Sequence, residues 1–311
     1  MNGLRRLGGF TTLVPFQLLP RSRRRGGVVV GTALAVAAAM LGTACSNSTG
    51  PASVSLTSAQ AESLSAVLAT DVQSEFDFST ANGSGTVSPG APALTPPPAC
   101  VTRTPASPAN SDGDPVPDSV RLTFNNCVVN YLAGGSDTVR GTIDVLDPTP
   151  TTTDHAWKHI FNAFTRIHVG PLGREWTWAL SGTRQIIGDS AQLAFTSTNV
   201  STTYTWPNGA SANHTRSWSI TFTADTAGKI QPDQPLPSGT LTLAGTSTWT
   251  RGSNTWNLVA STTAPLHYNA TCTVRPMIDS GTLKFVATRN SLTTNVTIQF
   301  TACGTYTVTR S

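Results

Sequence analysis

Oxygen-bearing side chains recur through Asn110-Ser111-Asp112-Gly113-Asp114-Pro115-Val116-Pro117-Asp118. That spacing suits a hard cation, because a tight loop turns every second side chain inward and lets the oxygens converge on Ca²⁺. Asn110, Asp112, Asp114 and Asp118 are the candidate ligands. The same residue types build Asx turns, so a solvated loop leading into a strand at Val120, with no cofactor, is the preferred reading and calcium the alternative. Pro115 replaces the Gly of such loops, fixing φ near about −65° and removing a backbone donor; any site is expected to be weak. His155 and His159, four apart beside Asp154, could begin a zinc site. No His-Glu-x-x-His pattern accompanies them, so ordinary polar strand positions are preferred. His168, His214 and His267 read as isolated positions in polar strands. The chain has no Gly-x-Ser-x-Gly elbow, Gly-rich phosphate loop or paired-carboxylate motif, so no catalytic pairing is identified and the reading is non-enzymatic.

The cysteines set the compartment. Arg23-Arg24-Arg25-Gly26-Gly27 leads through a 14-residue apolar run, Val28 to Leu41, into Gly42-Thr43-Ala44-Cys45. The run is shorter than the roughly 20 residues that span a bilayer and has the length of a signal-peptide core. The segment resembles a bacterial lipoprotein signal, which implies that Cys45 receives diacylglycerol and becomes the mature N-terminus. It departs from the commonest pattern in carrying Gly42, not Leu, three residues before the cysteine. Cleavage after Ala44 without lipidation is the rival. Parity favours lipidation: of Cys45, Cys100, Cys127, Cys272 and Cys303, removing Cys45 leaves four, an even number for an oxidising compartment. Local pairing, Cys100 with Cys127 and Cys272 with Cys303, closes the shortest loops.

The basic charge belongs to the leader. Six of the 20 Lys and Arg precede Cys45 and none of the 16 acidic residues does, leaving 14 basic against 16 acidic residues, a net −2. Nucleic-acid binding therefore has no support. Charged residues are 12% of the chain against a usual ~25%; Thr, Ser and Asn take their place on the surface.

The elements that must position these residues are mostly strands. Residues 1–44 read as signal and 45–55 as a lipid-proximal tether. A helix is expected over Leu56–Phe76, with Thr57 and Gln60 at capping-box spacing and Leu64, Val67, Leu68 and Val72 as its apolar stripe. With the Pro/Gly-rich loop Asn82–Asp118 it makes a unit over 56–118. From Ser119 to Ser311 the period becomes two: Val296, Ile298 and Phe300 alternate with polar residues, as do Leu283 and Phe285, across a turn at Arg289-Asn290-Ser291. Trp218, Ile220 and Phe222, Trp176, Trp178 and Leu180, and Leu241 and Leu243 repeat the pattern. Gly-Thr pairs at Gly141, Gly182, Gly239, Gly245, Gly281 and Gly304 are read as strand starts. The fold class is mainly β, an antiparallel meander of ten to twelve strands forming a curved sheet, sandwich or incomplete barrel, with one N-terminal helix. Trp157, Trp176, Trp178, Trp206, Trp218, Trp249 and Trp256 could line a sugar- or lipid-binding face, but alternation with Thr reads as core.

The Cys272–Cys303 region with its Gly-Thr-Leu strand resembles uncharacterised β-rich bacterial lipoproteins. That implies a lipid-anchored extracytoplasmic protein with a binding or structural role, held in a membrane by Cys45. Ser46, in place of Asp after the cysteine, implies the outer membrane. The alternative is a half-barrel carrier of an apolar ligand, similar to lipoprotein-sorting proteins. An enzyme is the second alternative. Whether a protein, glycan or lipid is the ligand stays open.

Overall fold

The computed structural model describes residues 56–79, 99–114, 116–130, 134–231 and 234–311. The signal, Cys45 and the tether lie outside the described residues. Within them the order is α1 (Ser58–Ser79), β1 (Val101–Thr104), β2 (Ser119–Asn130), β3 (Ser136–Leu146), β4 (Trp157–Val169), β5 (Glu175–Gly188), β6 (Gln192–Thr205), β7 (Ser211–Ala224), β8 (Gly239–Arg251), β9 (Asn254–Tyr268), β10 (Ile278–Arg289), β11 (Leu292–Ala302) and β12 (Thr305–Arg310). Each strand pairs antiparallel with the next, giving one open sheet in sequence order. Of the expected shapes, the two-sheet sandwich is thereby excluded. The sheet also starts earlier than Ser119, because Val101–Thr104 pairs with Arg121–Phe124 inside the Pro-rich stretch.

Period-two patterning does what it implied. Leu283 faces Ile298 and Phe285 faces Val296 across the β10–β11 hairpin, and all four are essentially inaccessible. Asn290 and Ser291 close it with φ of 49° and 67°, the left-handed pair that a tight two-residue hairpin turn requires.

The helix is sunk deeper than its apolar stripe implied. Thr57 N–H donates to Gln60 Oε1 (2.9 Å) and Gln60 N–H to Thr57 Oγ1 (3.2 Å), the expected reciprocal cap. Leu64, Leu68 and Val72 are buried as expected and Val67 is only half-buried, but Ser65, Ala69, Asp71, Gln73 and Glu75 are buried too. At 3.6 residues per turn these positions cover roughly 200° of the helix circumference, more than a flat sheet can cover. The sheet wraps α1.

Glycines explain how. Gly239 opens β8, and Gly304 precedes β12, but Gly141, Gly182, Gly245 and Gly281 lie inside strands and not at their starts. Gly141 and Gly182 sit at register shifts of the β3–β4 and β5–β6 ladders, with φ of 107° and 108°. A Cβ there would lie 2.4 Å from the carbonyl oxygens of Ala163 and Asn199 respectively, closer than atoms can pack. Asn126, Ala163 and Asn199, at the breaks in β2, β4 and β6, have φ of 52°, 49° and 48°. Asn126, Gly141, Ala163, Gly182 and Asn199 thus form a crease across five strands, and bulges of this kind bend strands and increase their twist.

Both expected disulfides form. Cys100–Cys127 (Cα–Cα 5.2 Å) ties the entry of β1 to β2, and Cys272–Cys303 (5.7 Å) ties the β9–β10 connection to the β11–β12 turn.

Candidate functional site

The wrapped helix carries two carboxylates, Asp71 and Glu75, one turn apart and aimed at the middle of the sheet. Arg216 on β7 binds both: Nε donates to Glu75 Oε1 (3.0 Å), Nη1 to Asp71 Oδ1 (3.1 Å), and Nη2 to Ser74 Oγ (3.2 Å). Ser197 on β6 donates to Glu75 Oε2 (2.9 Å), and Arg184 on β5 lies 3.7 Å from Glu75 Oε1. His214, two residues before Arg216, stacks on Trp249 of β8 with ring centroids 4.0 Å apart. Its Nε2 lies 2.8 Å from Ser247 Oγ and 3.2 Å from Asp71 Oδ2. One helical turn therefore clamps β5, β6 and β7, and His214 extends the contact to β8.

Burial decides the charges. It pushes Asp71 up to about 7 against the pull of Arg216, and it pushes His214 well below the usual imidazole range, with Arg216 adding to the effect. Burial also disfavours ionised Glu75, but Arg184 and Arg216 outweigh it and hold that carboxyl below its ordinary value. The result is one firm carboxylate between two guanidiniums, beside an easily protonated Asp71 and a neutral His214. Asp71, His214 and Ser247 hold the residue types of a nucleophilic triad without its geometry. A triad uses the two ring nitrogens separately, whereas here both partners meet Nε2, on a ring with 1% of its surface exposed. The arrangement is chemically suited to holding the helix and not to relaying a proton toward solvent.

The aspartate loop, between β1 and β2, folds differently from its sequence reading. Asp118 turns back and accepts from Ser111 N–H (2.8 Å) and Oγ–H (2.6 Å). Asn110 Oδ1 accepts from Gly113 N–H (2.8 Å), and its Nδ2 donates to the Asp114 carbonyl. Both are turn residues. Asp112 and Asp114 do converge, and the third member of their group is Asp147, just past β3: one carboxylate oxygen from each lies within 4.8 Å of the others. Among the described residues this is the one such group of His, Cys, Asp or Glu. Asp112 Oδ1 accepts from Asp114 N–H (3.1 Å), Asp114 Oδ1 from Val116 N–H (2.6 Å), and Asp147 Oδ1 from Thr149 N–H (2.8 Å). The Oδ2 atoms of all three are buried and accept no hydrogen bond. Burial, then the charges of Asp112, Asp147 and Asp154, push Asp114 up to about 6 even though the Val116 N–H favours its ionised form. Asp154 is likewise raised, by burial first and then by Asp147 and Asp112. Thr153 Oγ donates to the Asp112 carbonyl (3.3 Å), pinning the loop to the β3–β4 turn.

The histidines depart from their sequence reading. His159 is 3% exposed, edge-on to Phe161, and neither it nor His155 joins a three-ligand group among the described residues. His168 and His267 are not isolated: His168 Nδ1 lies 2.8 Å from Asp137, and His267 lies 2.7 Å from Asp279 and 3.0 Å from Asp225. Trp157, Trp218 and Trp256 are core residues. A signal for His214 and Arg216 existed in the sequence: counting back by twos from Trp218 places both on the buried face of β7. Asp147 carried no such signal, because its partners lie more than 30 residues earlier. Comparison of the chain with protein-family models, with curated proteins and with solved structures finds no match.

Proposed function

We propose that the chain is a lipid-anchored extracytoplasmic protein with a binding or structural role, held in a bacterial membrane through Cys45. The observation that carries the reading is the pairing of Cys100 with Cys127 and of Cys272 with Cys303. The two pairs account for four of the five cysteines and need nothing from Cys45, as an acylated terminus requires. Disulfides of this kind persist in oxidising compartments. No helix among the described residues is long and apolar enough to cross a membrane, and the proposed anchor is the lipid. The non-enzymatic reading is supported by the geometry around His214. The carrier alternative loses support because α1 already occupies the inner face of the sheet, its apolar side among core residues and its acidic side among arginines. The test is Cys45→Ala expressed in a host that processes lipoproteins. Two or more acyl chains give stable attachment, so the wild type should sediment with membranes and carry diacylglycerol by mass spectrometry, whereas the variant should be soluble. A variant that still sediments would refute the anchor.

A further inference from the structure

The geometry points to a Ca²⁺ site whose ligands are Asp112, Asp114 and Asp147, joining the β1–β2 loop to the end of β3.

An acidic cluster alone would not make a site. What distinguishes this one is the state of its oxygens. In each carboxylate Oδ1 is held by a backbone N–H of its own turn, which fixes the side chain and leaves Oδ2 over. All three Oδ2 atoms are buried without a partner, and Asp114 and Asp147 are each only 6% exposed. Buried polar atoms are almost always satisfied, and unpaired buried carboxylate oxygens are among the most costly exceptions. Three of them together form a place that a bound cation would satisfy. Two oxygens bound to one Ca²⁺ at 2.3–2.6 Å lie at most about 5 Å apart; one carboxylate oxygen from each of the three residues lies within 4.8 Å of the others. The all-oxygen, carboxylate-rich donor set selects a hard ion over zinc or copper. Asp154, held by Thr149 Oγ at 3.0 Å, adds negative charge from the adjoining turn. Three carboxylates meeting on one ion must displace several of its waters, which suits the flexible shell of Ca²⁺ better than Mg²⁺, an ion that dehydrates reluctantly and is usually held by one or two carboxylates. The expected Kd is on the order of 10⁻⁴ to 10⁻³ M, the class of extracellular modules.

The ligand set makes the site testable against its own sequence reading, in which Asp118 and not Asp147 closes the shell. The purified mature protein is melted across CaCl₂ concentrations, with MgCl₂ at matched ionic strength, alongside Asp147→Asn and Asp118→Asn. The wild type should gain melting temperature with calcium and respond less to magnesium. Asp118→Asn should keep that response, and Asp147→Asn should weaken calcium binding by more than about tenfold. Misfolding is separated by the calcium-free melts. In Asp147→Asn the introduced amide oxygen can still accept the Thr149 N–H while one repelling charge is gone, so this variant should be at least as stable as wild type without calcium. A wild type indifferent to calcium up to about 10 mM, well above that Kd range, would overturn the site. So would equal responses to both cations, a wild-type response in Asp147→Asn, or loss of the response in Asp118→Asn.

Discussion

Arg216 is the residue on which the helix–sheet contact turns. It sits 5% exposed between Asp71 and Glu75, and two buried carboxyls that face one guanidinium tolerate each other only while it is there. Removing one partner of a buried ion pair typically costs about 3–5 kcal/mol, because the other charge is left uncompensated. Arg216→Met should therefore destabilise by about that much in equilibrium urea unfolding. Arg216→Met with Asp71→Leu should recover much of the loss, because Glu75 keeps Arg184 as its partner while a well-packed apolar pair replaces the other buried ion pair at little or no net cost. If the single variant unfolds like wild type, the network contributes no stability.

At the level of elements, the crease governs the shape. Strands of 11 to 15 residues would run straight past a helix unless something bent them, and the bend falls where Gly182 meets Asn199. Gly182→Val would combine a left-handed φ with a Cβ 2.4 Å from a carbonyl oxygen. It should cost at least about 2 kcal/mol and lower the melting temperature by several degrees. Gly209, in the β6–β7 turn, has nothing within 4 Å of where a Cβ would sit, so Gly209→Ala carries only the φ penalty of about 1 kcal/mol. Comparable melting temperatures for the two variants would show that the crease is dispensable.

For the whole molecule, buried histidines make stability depend on pH. Burial first, then the positive charge of Arg184, pushes His159 down to about 3 from an ordinary 6.5. With the folded pKa below the unfolded one, the contribution is fully present above pH 6.5 and is lost as pH falls from 6.5 toward 3, because the unfolded chain binds the proton that the folded chain refuses. Asp71, raised to about 7 from 3.8, runs the other way: its penalty grows as pH rises from 3.8 to 7. The two partly cancel, so the informative quantity is the difference between wild type and His159→Leu. Wild type should lose stability relative to the variant below pH 6.5, at up to about 1.4 kcal/mol per pH unit. A pH-independent difference in urea unfolding between pH 7.5 and 4.5 would mean that the His159 site admits a proton. The open edges of the sheet are managed in the same global way: β1 has four residues, and Arg310 of β12 donates to the Leu56 carbonyl at the head of the helix.

Local rules determined whatever depends on neighbours in sequence. The alternation in β10 and β11, the Asn290-Ser291 turn and the Thr57–Gln60 cap each involve residues whose contacts are fixed by chain spacing, and the sequence alone specified them; for the disulfides, 27 and 31 residues apart, loop closure only ranked the pairing that the fold then made. Tertiary structure decided what depends on wrapping. Period two placed Trp218 on a buried face, but only the bend at Gly141 and Gly182 brought that face around the helix and buried Asp71 and Glu75 against Arg184 and Arg216. Gly-Thr pairs looked like strand starts because glycine marks both turns and bulges, and only the register of neighbouring strands separates the two. The aspartate loop supplied Asp112 and Asp114 by spacing; Asp118 was taken up by its own turn, and Asp147 arrived from the end of β3 because β2 and β3 are antiparallel neighbours, with Ser119 paired to Leu146.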